Sequence, residues 1–423
     1  MKSLFSFSFF WLMSLSMIAQ DSISYKLHPN ISEMFVSPDS TSLCISFADA
    51  DKKKDESLQV GLFNLQKHEL VYHSPILQKK EKEGIQILDK GILQSSQGSL
   101  SLIDWNGHDV WKEYDFRGFL YKKEADIILL LRETGTGFDV ELDAISMSTG
   151  EKLWSELMDY DFITSLRSVH QFSKSTILVL AQKIHKFGRK KGLLAEHTYS
   201  TSPQGANHPV VVSDDKVYLA EWKKLTCFDK NLDVVWSVKH PAMAKNDLKD
   251  EGNTLKLINY GYIKTNSPLF PVSHLNKPYI ARYDKKSGEQ LSINYLSWEK
   301  RNGLISRICS DTLLYVKKGD AFQQLQVPED EYVAVCDNGD VYSLDGNLQI
   351  KEKYADHDVY YRLFTVGDKV CIGRKCPDGR DFYMLASDGR TISHFPDGTS
   401  NVLHVGQYLY YSVADTLYLS SLN

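Results

Sequence analysis

"FDKNLDVVWSVKH", residues 228–240, opens on Asp and Asn and closes on a β-branched run that contains Trp236. Asp229 and Asn231 favour a tight turn, because their short side chains hydrogen-bond to the backbone just ahead of them. Val234, Val235 and Val238 suit a pleated, half-buried strand. A single occurrence would be an ordinary hairpin, whereas recurrence at a fixed interval would mean a repeat architecture.

The segment around it, "HPVVVSDDKVYLAEWKKLTCFDKNLDVVWSVKH", parses as four short strands over 209–212, 216–222, 224–228 and 234–238. Turns at 213–215, near Lys223 and at 229–233 separate them. The same turn recurs. "LIDWNGHDVW" places Asp104 seven residues before Trp111, as Asp229 stands before Trp236. "RYDKKSGEQL" places Asp284 seven before Leu291, and "LFNLQKHELV" places Asn64 seven before Val71. "ISMSTGEKLW" carries Gly150 and Trp154 in that frame with Met147 in the Asp position, and "YSLDGNLQI" and "LASDGRTIS" are shorter versions.

Turn positions 64, 104, 147, 229, 284, 345 and 388 give steps of 40, 43, 82, 55, 61 and 43. The step of 82 is two of 41, which predicts a degenerate copy near residue 188, inside "TILVLAQKIHKFGRKKGLLAEHTY". Four short strands every 40 to 45 residues are the signature of a β-propeller blade. Segments with a 3.6-residue period are lacking, which excludes helical solenoids. The one expected helical turn is "PAMAKNDLKDEGN", residues 241–253. The C-terminal "NVLHVGQYLYYSVADTLYLSSLN" supplies about three strands, and "DSISYKLHP" near the start is a strand without a hairpin partner. Pairing the two ends would leave no open edge. The expectation is an all-β propeller of four-stranded antiparallel blades, eight in number with seven to nine allowed, over residues 21–423.

The order of strand, Asp, Gly-containing turn, aliphatic and Trp resembles the pyrroloquinoline-quinone-type propeller repeat, best in "LDAISMSTGEKLW" and "KVYLAEWKKLTCFDKNLDVVW". "FVSPDSTSLCISF" is similar instead to WD-type and prolyl-oligopeptidase-type blades. The resemblance implies a quinoprotein-like fold in which Trp111, Trp154 and Trp236 pack between neighbouring blades. It specifies fold well and chemistry poorly. A quinoprotein dehydrogenase would carry a vicinal Cys pair, acidic Ca²⁺ ligands and often CxxCH, and the sequence has none of these. No cofactor and no metal are therefore expected. GxSxG, HExxH and GxxxxGK[ST] are also missing.

The first residues have the anatomy of a cleaved secretory signal: Lys2, an apolar run over 4–18, then Ala19 and Gln20 before Asp21. The run is too short for a membrane span, which needs about 20 apolar residues. No Cys follows it to carry a lipid anchor, so a secreted or periplasmic protein without a transmembrane segment is expected. Loss of Lys2 leaves 48 basic against 54 acidic residues, a formal charge of −6. Such a surface gives no footprint for nucleic acid. Cys44, Cys227, Cys336 and Cys371 lie in apolar runs that suit buried thiols, and Cys371 with Cys376 could form a local bridge.

Local clusters are few. "DADKKKDE", residues 49–56, lacks the central Gly of a Ca²⁺ loop and reads as a solvated hairpin. "DVELD" puts Asp139, Glu141 and Asp143 on one strand face, either an outward face or an acidic ligand patch. "ETGTGF" reads as a hairpin turn, since no helix follows to cradle phosphate. "KIHKFGRKK" is a basic turn in an acidic protein, and His185, Lys186, Arg189, Lys190 and Lys191 form the candidate partner-binding patch. Two functions fit: a non-catalytic exported scaffold, monomeric, that binds a protein or glycan in the envelope, or a hydrolase or lyase acting on a glycan or peptide at the central funnel. The absence of local motifs favours the first.

Overall fold

The computed structural model describes residues 23–27, 30–48, 57–74, 77–78, 85–96, 98–135, 139–159, 161–162, 165–199, 208–241, 246–261, 277–298, 305–309, 314–325, 327–328, 331–336, 340–354, 359–376 and 379–421. The expected leader and residues 49–56 lie outside them. The described residues form nine antiparallel sheets, and the fold is an all-β propeller. We number the sheets in chain order: sheet 1 over 30–78, sheet 2 over 85–114, sheet 3 over 118–159, sheet 4 over 168–198, sheet 5 over 210–239, sheet 6 over 246–295, sheet 7 over 305–309 and 332–354, sheet 8 over 314–324 and 359–394, and sheet 9 over 399–421 with 23–26. Sheets 1 to 6 hold consecutive chain segments, and sheets 7 and 8 interleave. The ninth is the terminal remnant, Thr399–Val405, Tyr408–Val413 and Thr416–Ser421, completed by Ile23–Lys26 from the other end of the chain. Ile23 pairs with Leu419 and Lys26 with Thr416. The count of nine lies within the expected range.

The chain divides into two compact units, one with sheets 1, 2, 8 and 9 and the other with sheets 3 to 7. Within each unit successive sheets share apolar cores. Sheets 3 and 4 share Leu129, Leu142 and Phe187, and sheets 5 and 6 share Tyr218, Leu257 and Tyr283. In the other unit, sheets 1 and 9 share Phe63, Tyr410 and Leu419. A middle strand between two such cores is covered on both faces. Ile177 and Val179 face one core and Leu178 and Leu180 the other, which explains an unbroken buried run where a half-solvated strand would alternate. Fourth strands do alternate, as in Val234–Lys239.

The recurring turn has a defined geometry. Asp104 Oδ1 accepts from the backbone N–H of Asn106 and of His108, both at 2.9 Å. Asp229 Oδ1 does the same for Asn231 (2.8 Å) and Asp233 (2.9 Å), and Asp345 for Asn347 and Gln349. Each carboxylate thus satisfies turn donors that the ladder leaves unpaired. In sheet 3 the position belongs to Ser146 rather than Met147, because Ser146 N–H bonds Glu151 O as Asp104 N–H bonds His108 O. The missing carboxylate comes from Asp126, whose Oδ1 accepts from Ser148 N–H at 2.7 Å.

Directly after this turn, sheets 1 to 8 each carry a β-bulge between the two strands that the turn joins. One residue of the fourth strand is left unopposed: Val110 in sheet 2, Leu194 in sheet 4, Val235 in sheet 5 and Leu291 in sheet 6. Sheet 9 has no such shift next to Ile23–Lys26, since no turn joins its third and fourth strands. The bulge corrects two readings of the frame. Leu291 and Val71 are bulge residues, and the positions matching Trp236 are Ser292 and Tyr72.

Other differences have local causes. Asn246–Asp250 is the first strand of sheet 6, not a helical turn, because Leu248 packs inward while Leu257 pairs with it. The second strand of sheet 5 stops at Ala220 instead of Trp222, as Glu221 N–H turns back to Lys224 O. The long step of 61 contains a hairpin, Leu314–Lys318 and Ala321–Gln324, that leaves between the first two strands of sheet 7 and joins sheet 8. Phe322 of that hairpin lies 4.9 Å from the rings of both Tyr360 and Tyr383. Its N–H bonds Gly389 O at 3.0 Å, and a Cβ on Gly389 would fall 1.9 Å from Phe322 O.

Candidate functional site

The sequence pointed to sheet 4, and the structure separates its basic residues. The third strand, Lys183–Gly188, takes His185 and Lys186 into the interior. His185 packs edge-on to Phe162 at 5.0 Å, and burial lowers its pKa. Lys186 Nζ sits 3.8 Å above the Phe172 ring and donates to Lys230 O. Burial pulls its pKa down as well. Arg189 Nη2 contacts Asp126 Oδ2 at 2.6 Å, across from sheet 4 to sheet 3. Burial alone would raise the Asp126 pKa, but hydrogen bonds from Ser146, Arg189 and Ser148 bring it below the usual carboxylate value. Lys190 and Lys191 are the exposed members of the turn.

The tryptophans occupy related places. Trp154 stacks on Phe187 at 5.5 Å and its Nε1 donates to Gly188 O at 2.9 Å, so a fourth strand of sheet 3 reaches the turn of sheet 4. Trp236 covers Gly288 in the turn of sheet 6. Trp111 is half-buried on the fourth strand of sheet 2.

At the other end of sheets 4 and 5 lies a polar cluster that the sequence did not single out. Glu221 is 1% exposed, and its Oε2 accepts from Thr226 Oγ1 at 3.1 Å with Lys224 Nζ at 3.7 Å. His208 Nδ1 is 3.4 Å from Ala220 O, and its ring meets Tyr199 edge-on at 5.6 Å. His240 Nδ1 is 2.8 Å from Pro241 O. Burial lowers the pKa of both histidines; Arg167 lowers that of His208 further, while neighbouring carbonyls and Glu221 oppose the shift in both. One signal was available: each is followed by Pro, in "NHPVVV" and "KHPAMA". Pro holds the preceding residue extended, which places each imidazole where the chain enters the next sheet.

Interior charges elsewhere are likewise paired. Asp143, expected on an outward or ligand-binding face, is 3% exposed and contacts Arg132 Nε (2.8 Å), Lys152 Nζ (2.7 Å) and Ser155 Oγ (2.6 Å). Lys285 joins Asp214 and Asp250 at 2.8 and 2.7 Å. Cys44, Cys227 and Cys371 are buried free thiols, so Cys371 is not bridged, and Cys336 is buried as well. Among the described residues no group of three or more His, Cys, Asp or Glu could hold a metal ion. No helix there is long and apolar enough to cross a membrane.

Five of the eight bulge residues, Val110, Leu194, Val235, Leu291 and Ile392, are about half exposed (47–53%), whereas Val71 and Leu153 are half-buried and sheet 7 has Lys351 at this position. In sheet 4 the bulge directly follows the basic turn, so Lys190, Lys191, Leu193 and Leu194 form one exposed strip. In sheet 5 the corresponding pair is Val234 and Val235.

No family model and no curated protein matches the chain. Solved structures do. BamB from Moraxella catarrhalis matches at 15% identity and a TM-score of 0.41, over 80% of this chain and 95% of that one. A eukaryotic initiation factor matches at 10% identity and 0.49, over 78% and 79%. The WD40 domain of Neurospora crassa Pan2 matches at 13% identity and 0.35, over 93% and 90%.

Proposed function

We propose that the protein is an exported, monomeric, non-catalytic propeller that binds a polypeptide partner in the cell envelope. The observation that carries this reading is the exposed aliphatic side chain at the bulge of five sheets. A bulge turns one residue out of the ladder and re-aims the next. Here it directs Trp236 at a neighbouring sheet and leaves Val235 in solvent. Aliphatic side chains regularly displayed on edge strands are suited to a partner rather than to a small-molecule reaction. Export is supported by the leader-like residues 1–20. Pyrroloquinoline quinone and Ca²⁺ have no part in this function.

A photo-reactive residue placed at Val235 or Leu291 should crosslink one dominant envelope polypeptide at native expression. Placed at Tyr114, also exposed but off the bulge, it should not. Diffuse or equal crosslinking from all three positions would overturn the reading. Sequencing the mature N-terminus tests export, with Asp21 or a close neighbour expected first.

One observation favours a hydrolytic alternative. Ser168 Oγ and His170 Nε2 are 2.8 Å apart on the first strand of sheet 4. Burial, with a contribution from Lys122, lowers the His170 pKa to about 4, so the imidazole is neutral at physiological pH but a weak base. Labelling of Ser168 by a fluorophosphonate, lost in Ser168→Ala, would support that alternative.

A further inference from the structure

We infer that the outer edge of sheet 4, strand Gly192–Thr198 with the turn before it, docks an extended polypeptide that carries acidic side chains beside apolar ones. This rests on the scaffold reading above and names the partner chemistry at one sheet.

The turn end of sheet 4 differs in charge from its neighbours. Its two turns, 173–176 and 189–192, expose Lys174, Lys190 and Lys191 and contain no acidic residue. Arg189 is committed to Asp126, but the three lysines make no ion pair among the described residues. The equivalent turns of sheet 3 carry Lys123, Glu124, Asp126 and Glu151, and those of sheet 5 carry Asp214, Asp215, Asp229, Lys230 and Asp233, so both are acidic on balance. A narrow positive tip therefore stands between two negative ones. A broad anionic surface such as a membrane or a nucleic acid would have to cover those acidic turns, at the cost of like-charge repulsion. A single extended chain running along one strand would not.

The strand behind the tip fits such a chain. Gly192–Thr198 pairs only with Lys183–Gly188, so it is the edge of its sheet. An edge strand presents unpaired N–H and C=O groups that an added strand can satisfy. The start of this edge already accepts an outside carboxylate, since Leu193 N–H donates to Glu156 Oε1 of sheet 3 at 3.2 Å. Beyond it, Leu193 and Leu194 are exposed and offer apolar contact next to the lysines. Backbone pairing, two leucines and an uncompensated positive tip together describe a strand-adding peptide whose acidic residues meet Lys190 and Lys191.

The test is fluorescence anisotropy with a labelled decapeptide of alternating Glu and Val, titrated with the whole chain. Saturable binding is expected, weakened by about tenfold or more in Lys190→Glu/Lys191→Glu and in Leu194→Ser, with unchanged melting temperatures. Added salt should weaken it through the same lysines. The same peptide with Lys in place of Glu should not bind, and N-methylation of alternate residues should abolish binding by blocking strand addition. No binding, equal binding of the two peptides, unchanged affinity in both variants, undiminished binding of the methylated peptide, or equal competition by a short single-stranded DNA would each overturn the inference. A crosslinked partner at Val235 or Leu291 with no effect of the sheet 4 variants would leave the scaffold reading standing and remove this one.

Discussion

Trp236 rests directly on Gly288: a Cβ added to that glycine would lie 2.6 Å from Trp236 Cε3, and the glycine φ is +76°. The residue in the fourth strand of one sheet thus fixes the turn of the next, and the turn must be glycine for two reasons. Left-handed backbone disfavours any side chain there, and no space exists for one.

Trp236→Ala should destabilise the protein by about 3–5 kcal/mol, since a large aromatic is removed from a close-packed contact. Gly288→Ala should also destabilise, through strain and clash together. Urea denaturation reads both, and a wild-type midpoint for Trp236→Ala would mean that the contact is not part of the core.

Trp154 and Trp236 should respond differently to Phe. Trp154 Nε1 donates to Gly188 O, whereas the buried Trp236 Nε1 has no hydrogen-bond partner among the described residues. Trp154→Phe is expected to cost about 1–2 kcal/mol more than Trp236→Phe, the typical effect of leaving a buried carbonyl unpaired. Equal losses would show that the Gly188 bond adds nothing.

Charge reversal within the basic turn should sort the residues. Lys190→Glu and Lys191→Glu are expected to leave stability unchanged. Arg189→Glu puts a negative charge against Asp126 and should cost about 1 kcal/mol, the scale of a partly exposed pair. The combined change of all three would therefore lower the denaturation midpoint, and Asp126→Asn would relieve part of that loss.

Stability should fall in mild acid. Burial lowers the folded-state pKa of His208 and His240, and that of His170 to about 4. The unfolded chain titrates near about 6.5, so below that pH it binds more protons than the folded chain. The contribution is complete above the unfolded value and is lost as pH drops toward the folded ones. Denaturation midpoints measured from pH 7 to pH 4 should decline, and less steeply for His170→Gln. A flat profile in the wild type would contradict the buried, neutral state of these rings.

Much of the fold was legible because the Asp turn is chemistry written in one residue type: a carboxylate that bonds the donors two and four positions ahead. The bulge was not legible. It is a choice of backbone pairing, and nothing in the side chains of Val235 or Leu291 distinguishes a bulge residue from a packed one. Asp126 escaped notice for another reason: it serves the turn of sheet 3 from 22 positions earlier in the chain. The burial of His185 and Lys186 also exceeds local reading, because Phe162 and Phe172 come to cover them only when the sheet assembles. The "HP" dipeptides were visible, yet Glu221 reaches their histidines only through the folded ends of sheets 4 and 5.

The pairing of Ile23 with Leu419 joins residues 396 positions apart. On a ribosome the strand Ile23–Lys26 is made long before its partner Thr416–Ser421. Sheet 9 can therefore be completed only once Thr416–Ser421 has been made. Closing so long a loop costs roughly 5 kcal/mol of chain entropy if nothing else is ordered, and much less once the intervening sheets have folded. The clasp should form late and open early. A nascent chain stalled before residue 416 would hold Ile23–Lys26 without its partner, open to chaperones or to the edge of another copy until Thr416–Ser421 emerges.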